Sequence, residues 1–148
     1  MSFFTELFGN KALVCAAVAW IVAQALKVVI TLLIEKRMDW GRWIGMGGMP
    51  SSHTAFVFSM MLMIGITEGV GSTLFALSFC LAAVVIYDAM GVRAETGKQG
   101  AALNRILREV LIEGQPITEE RFKELVGHTP MEVLGGIIVA VAVVLIMA

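Results

Sequence analysis

The chain has 148 residues, enough for one domain, but its 58% hydrophobic content and mean hydropathy of +0.85 exclude an ordinary soluble composition. A net charge of -1 gives no footing for nucleic-acid binding or for general attraction of anions. The two cysteines, Cys15 and Cys80, lie within apolar runs without metal-ligand spacing and read as structural.

Residues 12–34 form the first predicted span. Its 23 residues would make a helix about 34 Å long, enough to cross a hydrocarbon core of about 30 Å. A signal peptide is not expected, because the run is too long, carries Gln24 and Lys27, and meets a charged loop without a small-residue cleavage site. Lys27 stands about 10 Å inside the span, where insertion costs roughly 2.5–3.5 kcal/mol, so it should face other helices and have a partner there. Gln24 and Thr31 share its face at i−3 and i+4 and extend a polar stripe. Snorkelling to the surface is the plainer reading of such a lysine, and its depth argues against it.

A basic loop with Lys36, Arg37 and Arg42 follows, then Gly47-Gly48-Met49-Pro50-Ser51-Ser52-His53 at the start of the next apolar run, 53–66. Glycines let backbone amides turn inward, serines and the N–H groups of a new helix can bind an anion, and a histidine can move a proton. Phosphate on a lipid suits this set. The same residues can also simply start and cap a helix. The second span is short, so the loop before it should dip below the membrane surface or the bilayer should be thin there. The third span, 72–90, ends with Asp88 and leads to Arg93. Asp88 reads equally as a functional carboxylate or as half of a helix-end ion pair with Lys27 or Arg93.

The segment 91–131 is too polar to enter the bilayer. Leu103, Ile106, Leu107, Val110 and Leu111 recur at helical spacing against Asn104, Arg105, Arg108 and Glu109, which predicts an amphipathic interfacial helix with a solvated basic face. A second helix is expected from an N-cap at Thr118 to a stop at Gly127. His128-Thr129-Pro130-Met131-Glu132 then opens the last span, 132–147. Thr129, Pro130 and Glu132 fit a capping box. His128 and Glu132, four apart, equally suit a carboxylate that holds one ring nitrogen and leaves the other free to attack.

The expected architecture is all-α: a polytopic membrane helical bundle of about four transmembrane helices plus an amphipathic interfacial helix, with 1–148 as a single integral membrane domain. By the positive-inside rule, loops 35–52 and 91–131 face the cytoplasm of a cell (inner) membrane and both termini lie opposite, with Lys11 as a counter-signal. His53, Asp88, Arg93, His128 and Glu132 then gather on the cytoplasmic side, with Lys27 below them. Together they offer a nucleophile, an acid and cations for phosphoryl transfer without a metal or other cofactor.

Pro50-Ser51-Ser52-His53, Asp88-Ala89-Met90-Gly91-Val92-Arg93 and His128-Thr129-Pro130-Met131-Glu132 resemble the divergent branch of the type 2 phosphatidic acid phosphatase superfamily, over nearly the whole chain. The wider superfamily has a Lys and Arg motif, a Pro-Ser-Gly-His motif, and an Arg that precedes a His followed four residues later by an Asp. The resemblance implies His128 as the nucleophile forming a phosphohistidine, His53 as general acid, and Glu132 orienting His128. It implies phosphate binding by Lys27, Ser51, Ser52 and Arg93, with Arg37 or Arg42 completing the first motif. Ser52 stands in place of the glycine, Glu132 in place of the aspartate, and positions 94–127 separate Arg93 from His128.

The leading expectation is a membrane phosphatase hydrolysing a lipid or polyprenyl (isoprenoid) phosphate, with a homodimer plausible because four spans replace the superfamily's six. The alternative is a non-catalytic carrier or scaffold that binds anionic lipid, with Gly135 and Gly136 suited to close packing in an oligomer. Comparison of Asp88, Gly91 and Arg93 with CDP-alcohol phosphotransferases founders on too few aspartates, since only Asp39 and Asp88 are present. The methionines, among them Met46, Met49, Met60, Met61 and Met63, suit an adaptable surface for acyl chains or an ordinary core.

Overall fold

The computed structural model describes residues 2–35, 48–110 and 129–148. In chain order these form α1 (Phe3–Gly9), α2 (Lys11–Glu35), α3 (Ser52–Thr67), α4 (Thr73–Met90), α5 (Val92–Val110) and α6 (Pro130–Met147). The helix expected at Thr118–Gly127, together with Arg37, Arg42 and His128, lies outside the described residues. Among the described residues, three helices are long and apolar enough to cross a membrane: α2, α4 and α6, with mean hydropathies of 2.3, 2.0 and 2.4 over their spanning windows. The shorter apolar helix α3 stands between them, packed against α2, α4 and α6.

Small residues hold many of the most deeply buried positions, beside Met63 and a set of valines. Cys15, Ala16, Ala19 and Ala23 of α2, Ala55 of α3 and Ala140 of α6 are fully buried, whereas Leu33, Leu77, Val84, Leu145 and Ile146 are turned outward. Lipid tails are as apolar as leucine, so burying a large side chain between membrane helices gains little over leaving it in lipid. Small residues instead let backbones approach and gain dispersion contacts. On α2 buried positions fall every fourth residue, Cys15, Ala19, Ala23, Lys27 and Thr31, so one gently winding stripe runs from apolar to polar.

Residues of α2, α3 and α6 share one cluster, in which Cys15 and Ala23 meet Met63, Ala55, Val139 and Val143. A second cluster joins α3 to α4 through Val57, Met61 and Ala82. The α3–α4 connection is tight: Gly69 has φ +84°, which suits glycine, and Ser72 Oγ caps α4 by accepting from Phe75 N at 3.1 Å. The hydrogen bonds Gly91 N to Tyr87 O (2.8 Å) and Glu95 N to Gly91 O (3.1 Å) carry helical pairing from α4 into α5. The helix in the polar segment thus begins at Val92, well before the apolar repeat that starts at Leu103. Helix α1, which the sequence reading did not foresee, precedes α2 with only Asn10 between them.

Candidate functional site

The loop before α3 turns at Gly48, whose φ of +89° is a glycine conformation, and continues through the Met49–Pro50 cis peptide. Ser51 is the N-cap of α3: its Oγ accepts from Thr54 N at 3.3 Å and lies 3.0 Å from Thr54 Oγ1, which donates to it. Ser51 and Thr54 are fully buried and Ser52 nearly so. A hydroxyl that accepts still has its own proton to donate, so Ser51 keeps one bond to offer.

Helix α6 fixes this turn in place. Ser51 N donates to Glu132 O at 2.9 Å, which ties the start of α3 to the first turn of α6. Just beyond, a methyl group at Gly136 would stand 2.5 Å from Ser51 O and 2.8 Å from Thr54 Cβ, while one at Gly135 would meet Pro50 Cβ at 3.2 Å. The glycine pair read above as suited to an oligomer interface is therefore spent inside the chain. Its role is to admit the Pro50–Thr54 turn against α6. The turn of α6 itself is set by the capping box, with Glu132 N donating to Thr129 Oγ1 at 3.3 Å and Thr129 N donating to Glu132 Oε2 at 3.1 Å. One carboxylate oxygen of Glu132 is thus used in helix initiation.

The other elements bring polar groups to the same level. The start of α2 (Lys11, Ala12 and Leu13) and the end of α3 (Ile64, Thr67 and Glu68) line one cleft, so these two packed helices run antiparallel. Lys27, one turn beyond Ala23, therefore falls level with Ser51. It is 2% exposed, and its neighbours Gln24 and Thr31 are buried beside it on α2. On the opposite side of α3, Phe75 packs at Gly65 and Ala82 clusters with Val57, a register that carries half-buried Asp88 to the level of Ser52. His53 is half-buried, with its Nδ1 shielded from solvent.

The structure thus gathers Lys27, Ser51, Ser52, His53, Asp88 and Glu132 at one end of the bundle. Arg93 follows five residues after Asp88, at the start of α5. His128 immediately precedes Thr129 in sequence and lies outside the described residues. Thr54 and Gly136, which the sequence reading passed over as site residues, hold the arrangement together. The signal for Gly136 was a Gly-Gly pair in an apolar helix rich in β-branched residues. Among the described residues, no group of three or more His, Cys, Asp or Glu side chains could hold a metal ion.

These features define a helical integral membrane protein with a layer of buried polar and charged residues at one end of its bundle. The profile of the Divergent PAP2 family matches residues 8–143, and the chain belongs to that family. It is also 31% identical over 153 residues to a Bacillus subtilis (strain 168) protein named "Uncharacterized membrane protein YuiD", with 97% of each chain covered. No solved structure matches.

Proposed function

We propose that the chain is a metal-independent phosphatase that hydrolyses a lipid or isoprenoid phosphate at the cytoplasmic face of the cell membrane, through a phosphohistidine. The observation that carries this reading is the burial of Lys27 within a spanning helix, at the level that antiparallel packing of α2 and α3 assigns to the capped N-terminus of α3. A lysine and a helix N-terminus held at one level can together bind a phosphoryl anion.

In this scheme an imidazole nitrogen of His128 attacks phosphorus, the bond from phosphorus to the lipid oxygen breaks, and His53 donates a proton to the departing alkoxide. Water then attacks the phosphohistidine, losing its proton to His53, and inorganic phosphate leaves with the histidine restored. Lys27, Ser51, Ser52 and Arg93 bind the phosphoryl oxygens, Asp88 orients the neighbouring cations, and Glu132 steadies His128. The test is phosphate release from a panel of lipid and polyprenyl phosphates by the purified protein, with and without EDTA, beside His128→Ala. EDTA-resistant release that falls at least about a hundredfold in the variant is expected; release abolished by EDTA overturns the scheme.

One observation favours a second reading, that of a non-catalytic carrier binding anionic lipid. Ser51 Oγ and Glu132 Oε2 are both engaged in helix capping, and Ser51 is closed to solvent. That reading requires lipid phosphate binding that survives His128→Ala, with no phosphate released from any substrate.

A further inference from the structure

The end of the bundle away from the polar layer holds an open cleft of about 720 Å³ between α1, the start of α2, the end of α3 and the start of α4. Three apolar helices terminate there, so the cleft lies at the boundary between hydrocarbon and water. Its apolar walls come from Leu13, Met60, Ile64 and Leu74, while Glu6, Lys11 and Glu68 supply two carboxylates and one ammonium. All three charged residues are exposed.

Helix α1 shows which way this end faces. It turns Thr5, Glu6 and Gly9 to the cleft, while Phe3, Phe4 and Phe8 are 70%, 65% and 73% exposed and do not line it. A short helix with three exposed phenylalanines, one residue from the start of a spanning helix, is stable where those rings enter the acyl boundary. That position lays α1 along the membrane surface as the outer wall of the cleft.

We propose that this cleft binds one phospholipid with a primary-amine headgroup, in the leaflet opposite the polar layer. The volume is that of a small-molecule site and exceeds what ordered water alone needs. Apolar walls below charged groups match the upper acyl chain and headgroup of an amphiphile. Lys11 complements the lipid phosphate. Glu6 and Glu68 complement a headgroup ammonium, whose three N–H donors make charge-assisted bonds that a quaternary amine cannot make. An anionic headgroup without an amine would meet two carboxylates for one cation. This site is independent of the phosphatase reading and shares no residue with it.

The test is native mass spectrometry of the full chain in detergent, with phosphatidylethanolamine, phosphatidylglycerol or phosphatidylcholine added singly at equal concentration. Phosphatidylethanolamine is expected to be retained about tenfold better than either of the others. That preference should vanish in Glu6→Gln/Glu68→Gln. Leu74→Trp, which fills the apolar wall, should lower retention of all three. Equal retention of phosphatidylglycerol by the unaltered chain overturns the proposal without reference to any variant. So does a preference that survives the double substitution in a protein with unchanged thermal unfolding.

Discussion

The two ends of the α3 helix are built on opposite terms. At its N-terminus Ser51, Ser52 and Thr54 are buried, a neighbouring helix approaches so closely that only glycine fits, and the first amide past Pro50 is bonded across to α6. At its C-terminus the helices part around an open cleft, Gly69 and Gly71 have open space where a side chain would stand, and α1 rests on the outside. Dense packing with buried polar groups holds donors at fixed positions before a ligand arrives, which is what recognition of a phosphoryl group requires.

The largest expected effect comes from removing the buried cation. Lys27→Met keeps the length of the side chain and deletes its charge, so phosphate release should fall about a hundredfold or more. Thermal unfolding should fall as well, because deleting one member of a buried interaction leaves its partner unsatisfied. A variant that keeps full activity would break the link between this end and phosphate chemistry. Next is Gly136→Ala, which forces a methyl group against Ser51 O and Thr54. It should lower stability by about 1–3 kcal/mol, read as a lower midpoint of thermal unfolding, whereas Gly71→Ala at the open end should stay within about 0.5 kcal/mol. Equal effects at the two glycines would erase the contrast.

A smaller effect separates the two roles of Glu132. Glutamine retains the capping box, so Glu132→Gln should leave thermal unfolding nearly unchanged. If the carboxylate charge also orients His128, phosphate release should still drop about tenfold in that variant, and full release would assign Glu132 to helix initiation alone. The smallest effect is expected for Thr54→Ser, which keeps the hydroxyl bonded to Ser51 Oγ and loses one methyl group, a change of about 1 kcal/mol or less in unfolding.

Much of the dense end was legible in sequence because it follows from length and periodicity. Apolar runs of spanning length locate α2, α4 and α6, and the i−3 and i+4 relation of Gln24 and Thr31 to Lys27 fixes an inward stripe on α2. The gathering of polar residues at one end follows from alternating helix direction. Three things were not legible, each for a physical reason. Whether Ser51 caps a helix or is left for a ligand depends on where its hydroxyl sits relative to Thr54 N, a three-dimensional fact. The partner of Gly135 and Gly136 is a loop some 85 positions earlier, and no local pattern distinguishes that from a second chain. Helix α1 is only 7 residues long, too short for periodicity to separate it from a polar lead-in, and its stability depends on what its phenylalanines touch.

The placing of small residues inside changes what a designer could alter. In this molecule bulk on the perimeter is a solvent choice, so exchanging Leu77, Val84 or Leu145 among aliphatic residues should cost little, whereas adding a single carbon at Ala19, Ala55 or Ala140 presses on a packed seam. Hydropathy therefore locates the helices without revealing how each is rotated about its axis. On α2 side-chain volume carries that information, because the face with Cys15, Ala19 and Ala23 is the one turned toward the rest of the protein.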